Sequence, residues 1–123
     1  MRFFFFFVVG ISISNSKLIC TEIMASCHNL SLVGGQISGD PLEIELLNAS
    51  GWTLRKSADS TSLMDVTPSE SREKYSILKH FEFSADKLRA GTILKRPNGE
   101  LVYLLKGSPE MVINISGTLY LLF

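Results

Sequence analysis

Hydrophobic and polar positions divide the chain into stretches of different character. From Leu18 to Leu32, apolar side chains fall at Leu18, Ile19, Ile23, Met24, Cys27 and Leu30. This is close to the i, i+3/i+4, i+7 spacing that gives a helix one buried stripe. The glycines of "VGGQISG" then interrupt the pattern. A second helix is expected to open in "GDPLEIELLNASGW". Asp40 suits the N-cap, Pro41 suits the first helical position, where no amide donor is needed, and Glu43 falls at N3 to complete a capping box. Leu42, Leu46 and Ala49 would line its buried face, and Gly51 can end it.

The stretch from Arg55 to Glu73, "RKSADSTSLMDVTPSESRE", is polar and Ser-rich. With so few large apolar side chains it reads as a long mobile loop over about 55–73. Between Tyr75 and Lys106 the character changes. "YSILKHFEFS", "LRAGTILKR" and "ELVYLLK" are strand-like, and "RPNGE" supplies turn chemistry between the last two, so an antiparallel meander is expected. Ser108-Pro109-Glu110 repeats the helix-opening logic. The β-branched residues and glycine of "INISGTLYLLF" then work against a helix.

A chain of 123 residues supports one small domain. Twelve basic residues balance twelve acidic ones, so no broad field draws the chain to nucleic acid or to an anionic membrane, and any anion must be held locally. Cys20 and Cys27, with His28 adjacent and His80 remote, argue for neither a disulfide framework nor a zinc site. "MRFFFFFVVGISIS" places one Arg before an apolar run of signal-peptide size, short of the roughly 20 residues of a membrane span. Residues 1–16 are therefore read as a signal-like leader or as an artefactual one, a T-rich intron tract read in frame as poly-Phe. The N-x-S/T triplets at Asn29, Asn48 and Asn114 accord with secretion, but such triplets also arise by chance. A small secreted, glycosylated interaction protein is the alternative reading of the whole chain.

No phosphate-binding GxxxxGK[ST], no GxGxxG, no HExxH and no nucleophile elbow occurs. The remaining candidates are single residues. Lys106, followed by Gly107, closes an apolar strand, either as a lysine running into solvent or as a cation beside exposed backbone that could meet an anion. Phe81 and Phe83 should share a strand face, which usually means core, although an aromatic at a cleft could stack a purine. Glu43 could meet the edge of such a base, but a capping-box acid is already explained by its own helix.

Taken in order, "CHNLSLVGGQISGDPLEIELLNASGW", "FEFSADKLRAG" and "LLKGSPEMV" resemble the nucleotide-binding domain of P-type ATPases. The resemblance is to the type-V class, B branch, the 13A family of polyamine- or cation-transporting ATPases. It implies an α+β fold, an antiparallel sheet flanked by helices, occupying residues 17–112 as a partial domain, with 113–123 as a tail foreign to the family. It implies ATP as ligand, with Mg²⁺ in the parent enzyme. Phe83 would stack on adenine, Lys106 would be the lysine of K-G-[AS]-P-E at the inner end of the pocket, and Gly107 would allow close approach. Glu43 would contact the base, and Arg89 matches the arginine of F-S-x-x-x-x-R-M-S. The implied partners are ATP and the remaining domains of a transporter, with no nucleic acid and no direct membrane contact by the folded part. The implied location is the cytosolic side of an endosomal or lysosomal membrane.

The departures from the family pattern are specific. Ala90-Gly91 stands where Met-Ser is usual, which is expected to loosen the pocket wall, and Ala85 stands where ion-pump relatives carry arginine. The phosphorylated aspartate of D-K-T-G-T has no counterpart, because Asp86-Lys87 continues into Leu88. Phosphoryl transfer requires the γ-phosphate and Mg²⁺ to be set against a nucleophile, so this chain is expected to position ATP and not to consume it.

Overall fold

The computed structural model describes residues 5–7, 16–84, 86, 89–107 and 120–122. Its centre is a five-stranded antiparallel sheet in chain order. The strands are β4 (Trp52–Lys56), β5 (Met64–Pro68), β6 (Tyr75–Ser84), β7 (Arg89–Lys95) and β8 (Leu101–Gly107). Ahead of it come β1 (Phe5–Phe7), α1 (Ser16–Ser26), the hairpin strands β2 (Ser31–Val33) and β3 (Gln36–Ser38), and α2 (Pro41–Ser50). A short β9 (Tyr120–Leu122) pairs antiparallel with β1. The fold is α+β, and the expected meander over β6–β8 is present.

α2 begins as its sequence dictates. Asp40 is extended at the cap and accepts from the Leu42 amide, Pro41 is in the first turn, and Gly51 closes the helix at φ 74°, a left-handed conformation that costs glycine little. Its buried face is not the expected one: Leu47 is the fully buried residue and Ile44 packs on the core, whereas Leu42 and Ala49 are exposed. α1 is shorter than the apolar spacing suggests. It ends at Ser26, and the residues beyond His28 run into the β2–β3 hairpin around Gly34-Gly35, with Leu32 opposite Ile37.

The stretch expected to be a mobile loop carries ordered strands. β4 reaches Lys56, and β5 pairs with it in register from Trp52↔Pro68 to Lys56↔Met64. Val66, one of the few apolar residues there, is completely buried. Trp52 and Tyr75, on strands either side of β5, bring their rings to 4.6 Å. Cross-strand pairing and one buried valine are enough to order a segment whose composition is that of a loop.

Both helices lie on the same side of the sheet. Ile23, Leu30 and Leu47 pack against Leu54, Val66, Ile77, Leu94 and Leu104, and full burial of each such side chain contributes about 1.5–3 kcal/mol. A charged clamp crosses this layer. Glu22 of α1, fully buried, receives two hydrogen bonds of 2.8 Å from Arg96, which also reaches Glu100 at 3.2 Å. Arg96 sits in the β7–β8 turn, whose backbone closes through Arg96 N–H to Glu100 O and Gly99 N–H to Arg96 O. The fork of the guanidinium satisfies both carboxylate oxygens, as a buried carboxylate requires.

Candidate functional site

The register brings the sequence candidates to one end of the sheet. Ser84, next to Phe83, pairs with Arg89, and Arg89 pairs with Gly107, so β6, β7 and β8 contribute one row of Cα partners. The adjacent row pairs Ala90 with Lys106. Strand alternation puts Lys106 on the face of Val102 and Leu104, the face covered by the helices. There its ammonium lies 3.2 Å from Oε1 of Glu43, and both side chains are largely buried. The Arg89 side chain lies outside the described set, as do Ala85 and the Ser108-Pro109-Glu110 helix start.

Glu43 does not close a capping box on its own helix. Its second oxygen, Oε2, accepts from the backbone amide of Asn29 at 3.0 Å. Two tertiary donors thus hold the carboxylate away from the α2 backbone. Asn29 also donates from Nδ2 to Oε1 of Glu82, the residue before Phe83, through a long hydrogen bond of 3.4 Å.

Beside this pair is a set of buried polar groups. His28 donates from Nε2 to the Ala25 carbonyl at 2.7 Å, and its Nδ1 accepts from the Leu30 amide at 3.2 Å. Each ring nitrogen then has one role, and this fixes the neutral tautomer. Burial drives the His28 pKa down to about 4. His80, with its ring 5.7 Å from that of His28, is also lowered by burial. Thr92 gives its hydroxyl proton to the Ser26 carbonyl at 3.1 Å, so its oxygen accepts from Nδ1 of His80 at 2.9 Å. Cys27, packed in the core, is pushed up to about 11 by burial and is a thiol at neutral pH.

Phe81 and Phe83 are not core residues, contrary to the usual meaning of paired aromatics. Phe83 is 63% exposed and Phe81 37%. The β6–β7 register shifts between Phe81 and Ser84, which breaks simple alternation at Phe83. Phe81 packs edge-on against Tyr103 with centroids 5.5 Å apart. Gly91 lies beneath the same tyrosine: a Cβ there would meet the Tyr103 hydroxyl at 2.9 Å. The Gly91 departure therefore faces Tyr103, while Ala90 is the one beside Lys106.

The groups around Glu43, Lys106, His28, Cys27, Ile23 and Leu46 form only a shallow surface depression that encloses no space large enough for a water molecule. Phe83 is exposed at this end of the sheet, whereas Lys106 is on the helix-covered face beside Glu43. Among the described residues there is no cluster of three or more potential metal ligands, and no helix long and apolar enough to cross a membrane. Sequence reasoning missed His28, Asn29 and Glu82. The only local sign was a histidine just past the end of an apolar helix, where side chains commonly meet the last carbonyls.

No protein-family model matches the chain. Curated proteins do. The chain is 35% identical over 104 residues to "Probable cation-transporting ATPase 13A5" of Mus musculus, a match covering 72% of this chain and 8% of that protein. It is 30% identical over 112 residues to "Probable cation-transporting ATPase catp-6" of Caenorhabditis elegans, covering 76% and 9%. It is 23% identical to "Polyamine-transporting ATPase 13A3" of Macaca fascicularis, covering 85% and 11%. The chain thus spans 8 to 11% of the length of the curated relatives it matches.

Proposed function

Because the chain belongs to the 13A family of cation- and polyamine-transporting P-type ATPases, as a segment of it, we propose that it is part of the nucleotide-binding domain of such a transporter. In this reading it holds ATP at the end of the sheet, with Glu43, Phe83, Arg89, Lys106 and Gly107 as the contact residues that the resemblance assigns. The observation that carries the reading is the 3.2 Å contact between Glu43 and Lys106. Two residues singled out for one ligand, on a helix and a distant strand, meet in space.

Each group has a part that its chemistry suits. The exposed ring of Phe83 offers a flat face on which adenine stacks, an interaction worth about 1–3 kcal/mol per base. Glu43 accepts from the exocyclic amine of the base, and Lys106 supplies positive charge where none is contributed by the balanced surface. Gly107 lets the ligand approach the β8 backbone, and Arg89, the arginine of the family's F-S-x-x-x-x-R pattern, is its Cα partner across the ladder. Lys106 exchanges part of its contact with Glu43 for the ligand, so the pair holds the lysine ready without an unpaired buried charge. Bound Mg²⁺–ATP supplies the phosphoryl group, and the nucleophilic aspartate that receives it is not among these residues. In the parent transporter the segment faces the cytosol, and phosphoryl transfer elsewhere in the protein drives cation or polyamine movement across an endosomal or lysosomal membrane.

Equilibrium titration of the full chain with a fluorescent ATP analogue tests this. Saturable binding, weakened at least about tenfold by Phe83→Ala and by Lys106→Ala, is expected. Absence of saturable binding, or binding indifferent to both substitutions, sinks the assignment.

A further inference from the structure

The acid at N3 of a capped helix has a default partner, the backbone amide at its own N-cap. Glu43 instead points away from α2, and the reason lies in the turn that follows α1. We infer that His28 positions Glu43: its ring fixes the turn from which the Asn29 amide takes hold of the carboxylate and turns it to Lys106. The inference rests on reading this end of the sheet as the nucleotide site.

The geometry is a short relay. His28 ties Ala25 O on one side of Asn29 and the Leu30 amide on the other, at 2.7 and 3.2 Å. With residues 25 to 30 held by one ring, the intervening Asn29 amide is aimed at Oε2 of Glu43, 3.0 Å away. Once Oε2 is engaged, Oε1 is left to Lys106 at 3.2 Å. The Asn29 side chain extends the same turn to Glu82, one residue before Phe83. The relay depends on Nδ1 of His28 remaining an acceptor. The groups facing the ring are His80 from β6, Glu43 from α2 and Lys106 from β8, with Cys27 beside it in the turn. Burial above all, with His80 and Lys106, disfavours a proton on His28, while the Ala25 carbonyl and Glu43 favour one, and the balance keeps the ring neutral. Without the Nδ1 bond the Leu30 amide loses its partner, the turn relaxes, and Glu43 is free to return to its own helix.

Two polar replacements separate this role from general support of the fold. Asn presents its terminal atoms near the Nδ1 position, and Gln presents them near Nε2. In ATP titrations of the full chain, His28→Gln is expected to lower affinity about tenfold, and His28→Asn to recover it to within about threefold. In a Glu43→Ala background, His28→Gln should cost less than about twofold, since the two residues act through one contact. Equal losses for the Asn and Gln variants, or a Gln effect undiminished in the Glu43→Ala background, overturn the inference. The Asn29 amide proton shift, read by NMR on the same variants, is independent of ATP. An upfield move in His28→Gln and none in His28→Asn supports the relay even if the wild type binds no nucleotide, an outcome that would remove only the reading of the site. An Asn29 amide unmoved by His28→Gln overturns the relay.

Discussion

Glu43 and Lys106, 63 residues apart in sequence, meet at 3.2 Å where the N-terminal turn of α2 approaches the end of β8. The contact takes an acid that local rules assign to helix capping and gives it to the sheet. It also explains how a lysine on the helix-covered face is tolerated: the charge is neutralised by a carboxylate that is itself held by Asn29.

Lys106→Ala should therefore separate binding from folding. Glu43 keeps the Asn29 amide and about 20% side-chain exposure, so the loss in urea-denaturation stability should be about 1 kcal/mol. ATP affinity should fall at least about tenfold in the same preparation. A large stability loss with unchanged affinity would make Lys106 a structural lysine.

The Glu22–Arg96 clamp should behave in the opposite way. Arg96→Met strands a fully buried carboxylate, and breaking such a pair costs about 3–5 kcal/mol. Adding Glu22→Leu to Arg96→Met should restore a substantial part of that stability, because no buried charge is left unpaired. Urea midpoints of the single and double variants decide it.

What could be read from the sequence was what is decided locally. Asp40, Pro41 and Gly51 set the limits of α2 through neighbours a few residues away, and the Pro-Asn-Gly turn set the β7–β8 hairpin. β5 was missed because Val66 and Met64 are outnumbered by serines and acids, and only pairing with β4 and β6 reveals them as a strand. The apolar spacing continued past Ser26 because Leu30 is buried from the turn and not from the helix. At the candidate site, the residue types pointed to Lys106 and Glu43, but their contact and the His28–Asn29 turn that shapes it depend on tertiary approach. The Glu22–Arg96 pair left no trace in local pattern.

Stability should fall in mildly acidic solution. His28 has a folded pKa of about 4 against an ordinary 6.5, with burial as the main cause. The unfolded chain thus binds more protons than the folded one below about pH 6.5, and the His28 contribution, of order 3 kcal/mol, is lost as pH falls from there to about 4. His80 is shifted in the same direction and adds to the slope. Urea denaturation between pH 7.5 and 4 should show the decline, and His28→Asn should flatten it.

Gly39→Ala tests the packing behind the Asn29 turn. Gly39 has φ 149°, and a Cβ there would stand 2.6 Å from Cδ2 of the buried Leu30 and 3.4 Å from its Cα. Strain and displacement of Leu30 together should cost about 2 kcal/mol or more, read as a lowered urea midpoint. If the variant is as stable as the wild type, the β2–β3 hairpin does not sit against Leu30 as described.

Mapping amide shifts in the isotopically labelled chain during ATP titration tests most directly the proposal that ATP binds where β6, β7 and β8 end beside Glu43. Saturating shifts centred on Phe83, Ser84, Ala90, Lys106, Gly107 and Asn29, and lost in Lys106→Ala, are the predicted result. Shifts absent at saturating ATP, or centred on residues remote from Lys106 and Glu43, would contradict it.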